Sequence, residues 1–131
     1  MMKDRVAAII IKDNKILLVT GYDEKFYWTP GGKIEKKESH EKCLKRELKS
    51  ELNVNLISIK KYADYESINE IKNKLQKTYY YLVQIERPPK PQDEVTKIIW
   101  YSKQNFLNKN PKVSKGNENF LMPSLLKDNL L

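Results

Sequence analysis

The residues best suited to chemistry lie in one segment, Gly31 to Val54, which reads GGKIEKKESHEKCLKRELKSELNV. Glu47 and Glu51 stand four apart, so on a helix they share a face. Arg46 and Ser50 neighbour that face, while Leu44, Leu48 and Leu52 recur on a different one. Glu38 comes just before, at the end of a loop that begins with Gly31 and Gly32. The glycines let that loop fold back over the helix, which gathers Glu38, Glu47 and Glu51 about a backbone bend. Clustered carboxylates without His or Cys suit a hard cation such as Mg²⁺, which keeps several waters and bridges to substrate phosphates. Carboxylates at this interval also occur on ordinary solvated helix faces, so the pair alone does not mark a site.

The elements that must hold these groups can be read along the chain. Val6 to Ile11 is a continuous β-branched run, expected as a buried strand, and Lys15 to Thr20 returns after an Asp13-Asn14 turn. Gly21 to Thr29 reads as an aromatic loop with Tyr22, Phe26, Tyr27 and Trp28, and Pro30-Gly31-Gly32 as a sharp breaker. Ser39 caps a helix that runs to Leu52, and Asn53 ends it. Strands are expected over Val54 to Ile59, Thr78 to Ile85 and Val95 to Tyr101. The polar stretch Ser67 to Leu75, the proline-rich stretch Arg87 to Glu94, and Asn108 to Gly116 read as loops. Ser102 caps a short helix to Leu107, and Glu118 to Leu130 is expected as a terminal helix with Pro123 near its start. The order predicts a mixed α/β (α+β) domain, one sheet with helices packed on it.

Composition bounds the chemistry. At 131 residues the chain is expected to be one domain, residues 1–131. One Cys and one His exclude an internal disulfide, a cysteine zinc site and a multi-histidine metal site. Lys and Arg total 25 against 17 Asp and Glu, a net charge of +8, which favours polyanionic partners. The apolar run near the N-terminus is too short for a leader or a membrane span, so no membrane partner and a cytoplasmic location are expected. Cys43 reads as a small buried apolar residue and His40 as a solvated one. Tyr79 and Tyr81 must share one strand face and Tyr80 the other.

The segment resembles the box of the Nudix hydrolases, G-x5-E-x7-R-E-U-x-E-E-x-G-U with U aliphatic. Gly32 is followed by Glu38, Arg46, Glu47, Leu48, Glu51 and Val54 in the required register. Ser50 stands where the pattern has Glu, and Asn53 where it has Gly. Five of the seven fixed residues match, a coincidence on the order of one in a thousand at roughly one in twenty per position. The resemblance implies an α/β/α sandwich with a mixed sheet. It also implies hydrolysis of a nucleoside diphosphate linked to another moiety, in which carboxylate-bound cations assist attack of water on phosphorus. By that resemblance Glu47, Glu51 and the Gly31 carbonyl are metal ligands, for Mg²⁺ first and Mn²⁺ as an alternative. Glu47 is also a candidate general base. Arg46 would orient Glu47 or Glu38, and Glu38 is an outer ligand or a structural partner of Arg46. Ser50 removes one carboxylate, from which weaker metal affinity is expected.

Within the family, Pro30 to Glu35 looks most like the MutT type, which removes damaged nucleoside triphosphates. That likeness puts Lys33 and Glu35 near the phosphates and metal, with a solvated lysine as the alternative for Lys33. A separate three-residue likeness, Gly116-Asn117-Glu118, puts Asn117 beside the oxidised base, with helix capping as its alternative. MutT-type proteins carry a Glu before the Trp of the last strand; here Ile99 precedes Trp100, and Glu94 is the substitute ligand or base. Trp28 and Tyr27 are candidates for stacking on a base. An RNA 5′-end pyrophosphohydrolase is a rival reading, with Lys97, Lys103, Lys109, Lys112 and Lys115 as a track. A Nudix-fold nucleotide-binding or sensor domain, impaired by Ser50, is another. A monomer and a homodimer are both compatible with the sequence.

Overall fold

The computed structural model describes residues 4–21, 23, 25–69 and 71–131. Tyr22, one of the aromatic loop residues, lies outside them. The strands are β1 (Arg5–Ile9), β2 (Ile11–Lys12), β3 (Lys15–Thr20), β4 (Gly31–Lys33), β5 (Leu56–Asn69), β6 (Lys74–Ile85) and β7 (Lys97–Tyr101). The helices are α1 (His40–Leu52), α2 (Lys103–Leu107) and α3 (Met122–Lys127), the last entered through a π-helical turn at Asn117–Leu121.

Two sheets form, not one. The first is mixed, ordered β4-β1-β6-β5 with β1 parallel to β6, and the second is antiparallel, ordered β2-β3-β7. The run Val6 to Ile11 therefore splits at Ile10: β1 belongs to the first sheet and β2 to the second. Asp13 and Asn14 both take positive φ, 52° and 60°, the geometry of a tight two-residue hairpin between β2 and β3. Alternate residues of β1 and β3 enter opposite cores. Val6, Ala8, Leu17 and Val19 pack with Cys43, Leu44, Leu48 and Leu52 of α1. Ala7, Ile9, Ile16 and Leu18 pack with Tyr80, Tyr101, Leu121, Met122 and Leu125 on the α3 side. Burial on both faces is why these strands read as unbroken apolar runs. The result is the expected α/β/α sandwich.

Helix α1 holds its predicted bounds. The Ser39 side chain accepts from the Lys42 N–H, and Asn53 at φ 56° returns its N–H to the carbonyls of Leu48 and Lys49. Cys43, Leu44, Leu48 and Leu52 are all fully buried, worth roughly 2 kcal/mol or more for each leucine. Ser102 caps α2 in a reciprocal box with Asn105.

Four expectations need correction. Ser67 to Leu75 is not a loop; β5 and β6 extend through it as a long hairpin, registered Ser67 to Gln76 and Asn69 to Lys74. Its polar composition hid the strands because the hairpin projects from the core, leaving Ile68, Ile71 and Leu75 about half exposed or more. Gly31–Lys33 is a short strand and not only a breaker, pairing Ala7 to Gly31 and Arg5 to Lys33. The terminal helix is broken into the π-helical turn and α3, with Pro123 in the first turn of α3, where a missing N–H is tolerated. His40 is not simply solvated. Its ring sits 4.5 Å from that of Tyr79, and Nδ1 is 2.6 Å from the Tyr81 hydroxyl.

Candidate active site

A cleft of about 510 Å³ opens where β4, the C-terminal half of α1, the β5–β6 hairpin and the segment before α3 meet. Glu47, Glu51 and Glu94 line it together, with Gly31, Gly32, Lys33 and Glu35. Both glycines have a physical reason. Gly31 takes φ +145°, and a Cβ there would come within 2.0 Å of the Val6 carbonyl oxygen. At Gly32 a Cβ would lie 2.4 Å from the Glu47 carboxyl carbon. The helix carboxylate thus packs directly against the bare backbone of β4.

Glu51 points inward. The Gly31 N–H donates to its Oε1 at 3.1 Å. Burial pushes its carboxyl up to about 7, a rise opposed by the Arg5 guanidinium and the Gly31 N–H and reinforced by Glu47 and Glu94. Arg5, from the first residue of β1, also lines the cleft and donates to the Thr29 carbonyl.

Arg46 stands behind this wall. Its Nε and Nη2 donate to Glu38 at 2.8 and 2.9 Å, Nη1 to Glu47 at 2.6 Å, and Nη2 to the Lys33 carbonyl at 3.2 Å. The guanidinium holds the Glu38 carboxyl down at about 2, helped by the Glu35 N–H. Glu38 is thereby tied to Arg46 and is absent from the residues that line the cleft. Cys43 is buried beneath, its thiol pushed up to about 12 by burial, as suits an inert packing residue.

The far wall carries groups that recognise. Asn117 is buried at 1% exposure, and its Nδ2 has no hydrogen-bond partner although the residue faces the cleft. Trp28, Phe26 and Tyr80 also line the cleft. Tyr27 does not; it bridges to Val113 and packs in the α3-side core. The ammonium of Lys33 beside Lys72, at the hairpin tip, lowers the Lys72 pKa. Both lysines line the cleft. Arg5, Lys72 and Tyr80 escaped the sequence reading because they come from three segments with no motif spacing between them.

The donor set is made of hard oxygens. Among the described residues no group of three carboxylate, His or Cys side chains is placed to hold a metal ion by itself. Carboxylates that repel one another in one cleft, without a cage, fit a cation completed by waters and ligand phosphates.

A family profile described as NUDIX domain matches residues 1–122. This chain belongs to the NUDIX family. It is a hydrolase by that membership. Solved structures of similar fold include the E. coli ORF135 protein, 25% identical, covering 97% of this chain and 94% of that one at a TM-score of 0.75. The MutT protein from Methanosarcina mazei Go1 is 17% identical, covering 98% of each chain at 0.79. A bifunctional NMN adenylyltransferase/ADP ribose pyrophosphatase from Francisella tularensis, complexed with AMP and Mn ion, is 19% identical. It matches over 96% of this chain but 41% of its own length, at 0.72. No curated protein sequence matches the chain. Among the described residues no helix is long and apolar enough to cross a membrane.

Proposed function

We propose that this NUDIX hydrolase is a MutT-like pyrophosphohydrolase that converts a nucleoside triphosphate to the monophosphate and pyrophosphate. The observation that carries it is the division of one cleft. Glu47, Glu51 and Glu94 line it alongside Lys33 and Lys72, and the buried, unpartnered amide of Asn117 lines it too. Phosphates match the first set, and a base carbonyl, oxidised or not, would give Asn117 Nδ2 the acceptor it lacks.

Glu47, Glu51 and the Gly31 carbonyl would hold Mg²⁺, or Mn²⁺ in its place. The cation would supply charge neutralisation at the phosphates and a lowered pKa for the attacking water. Arg46 fixes the Glu47 carboxylate by a 2.6 Å hydrogen bond and is itself fixed by Glu38. Glu38 serves as a positioning group in this reading. Glu94 remains the candidate ligand or base on the loop side, and Glu35 borders the phosphate site with Lys33. Of the lysines proposed as an RNA track, Lys97, Lys103, Lys109, Lys112 and Lys115, none lines the cleft among the described residues. That favours a free nucleotide over an RNA 5′ end.

The test is product analysis with Mg²⁺ and a panel of normal and oxidised nucleoside triphosphates, ADP-ribose, a dinucleoside polyphosphate and a 5′-triphosphate RNA. Pyrophosphate released from a free triphosphate, and lost in Glu51→Gln, is the expected result. Turnover of the RNA alone would move the assignment to the 5′-end reading. Nucleotide binding without any turnover would move it to a sensor domain.

A further inference from the structure

Ser50 departs from the box by replacing a carboxylate with a hydroxyl, and the structure gives that hydroxyl a partner. Ser50 Oγ donates to Asp93 Oδ2 at 2.8 Å, across 43 residues of sequence. Asp93 belongs to the segment between β6 and β7, whose prolines Pro88, Pro89 and Pro91 limit its freedom. That segment docks on the last turn of α1, where helix carbonyls lack intrahelical donors. The Lys90 N–H donates to the Leu52 carbonyl at 2.9 Å and the Gln92 N–H to the Glu51 carbonyl at 3.0 Å. Gln92 Nε2 donates to the carbonyls of Lys49 and Ser50 at 2.7 and 2.9 Å. The chain then turns at Asp93, which takes φ 53°. Asp is one of the few residues besides glycine that adopt that left-handed geometry. The next residue, Glu94, lines the cleft and adds its charge to those acting on Glu51.

We infer that Ser50 and Asp93 are positioning residues: their hydrogen bond holds the turn that delivers the Glu94 carboxylate to the cation site. The position that lost a carboxylate thus recruits another from a distant loop. A Glu at 50 would face Asp93 as a like charge and could not donate to it. This inference rests on the cation-dependent reading above.

The test is Mn²⁺ affinity of the full chain without nucleotide, read by the electron paramagnetic resonance of free Mn²⁺. The variants are Ser50→Ala, Asp93→Ala, Asp93→Asn, Glu94→Gln and Asp93→Ala combined with Glu94→Gln. Removing an outer partner of a metal ligand weakens affinity by about tenfold or more, and that loss is expected in Ser50→Ala and Asp93→Ala. Asp93→Asn keeps an acceptor for the Ser50 hydroxyl and is expected to rescue binding. In the Glu94→Gln background the further loss from Asp93→Ala should disappear, because Asp93 acts through Glu94. An Asp93→Ala loss that persists undiminished there would overturn the inference, as would Mn²⁺ affinity unchanged by Ser50→Ala and Asp93→Ala. If the unaltered chain bound no Mn²⁺ at all, the cation-dependent reading itself would fail, an outcome distinct from either.

Discussion

Two carboxylates of the box are driven in opposite directions by their surroundings. Glu38 is held at about 2 by the Arg46 guanidinium, so it stays ionised across any working pH. Glu51 is raised to about 7 by burial beside other carboxylates. An unfolded Glu titrates near 4.3. Between that value and about 7 the folded, metal-free protein therefore binds more protons at Glu51 than the unfolded chain does. Its stability should be greatest below the unfolded pKa and fall as pH rises through the folded one, by up to about 4 kcal/mol from this group. Glu51→Gln keeps an acceptor for the Gly31 N–H and removes the charge. Metal-free Glu51→Gln should melt higher than the unaltered protein at pH 8 and show no such gain at pH 4. Added Mg²⁺ should raise the melting temperature of the unaltered chain only, since it binds the folded state through the ionised carboxylate. A Glu51→Gln variant less stable at both pH values would refute the assignment of Glu51 as the strained group.

At the scale of elements, the site depends on how closely β4 meets α1. Gly32→Ala puts a methyl group against the Glu47 carboxylate, so Glu47 must leave its bond to Arg46. The expected result is a kcat drop of about tenfold or more with the fold retained, since a small misplacement near reacting groups costs that much. Circular dichroism with steady-state kinetics checks it. The β5–β6 hairpin makes a separate contribution. Its turn is built by Asn69, whose Oδ1 accepts from the N–H groups of Ile71 and Lys72, and by Asn73 at φ 54°. That turn carries Lys72 to Lys33. Two ammonium groups this close repel until an anion lies between them, so Lys72→Ala should raise KM for a triphosphate severalfold and leave kcat nearly unchanged. A fall in kcat with KM constant would show that Lys72 acts on the reaction and not on binding.

For the molecule as a whole, the +8 charge acts at longer range than any single contact. Anionic substrates should be drawn to the surface, and salt should screen that attraction. kcat/KM for a nucleoside triphosphate should fall as ionic strength rises from about 0.01 to 0.15 M, where the Debye length shrinks from about 30 to 8 Å. Salt-independent kcat/KM would mean that the charge serves solubility and not capture. The broader architecture makes this capture productive. The two sheets are joined at Ile10, where the chain passes from β1 of one to β2 of the other, and the helices cover both faces, so the cleft is left as the polar opening between buried cores.

Local rules were enough for α1 and for the hairpin at Asp13-Asn14. A serine cap, a leucine repeat and an asparagine stop act within a few residues, and nothing elsewhere in the chain overrides them. The same is true of the spacing from Gly32 to Val54, which marks the family because a helix turns that spacing into a common face. The extent of β5 and β6 was not readable, because strand pairing in a projecting hairpin rests on a partner chain segment and not on apolar residues. The split of Val6 to Ile11 between two sheets was hidden for a related reason: either assignment buries the same side chains. Arg5, Lys72, Asn117 and Glu94 come to line one cleft with Glu51 only after β1, the hairpin, the α3 approach and the Asp93 turn have docked. Contacts between residues so far apart in sequence leave no periodic trace, and the Ser50 substitution, read alone as a loss, acquires a partner only through that docking.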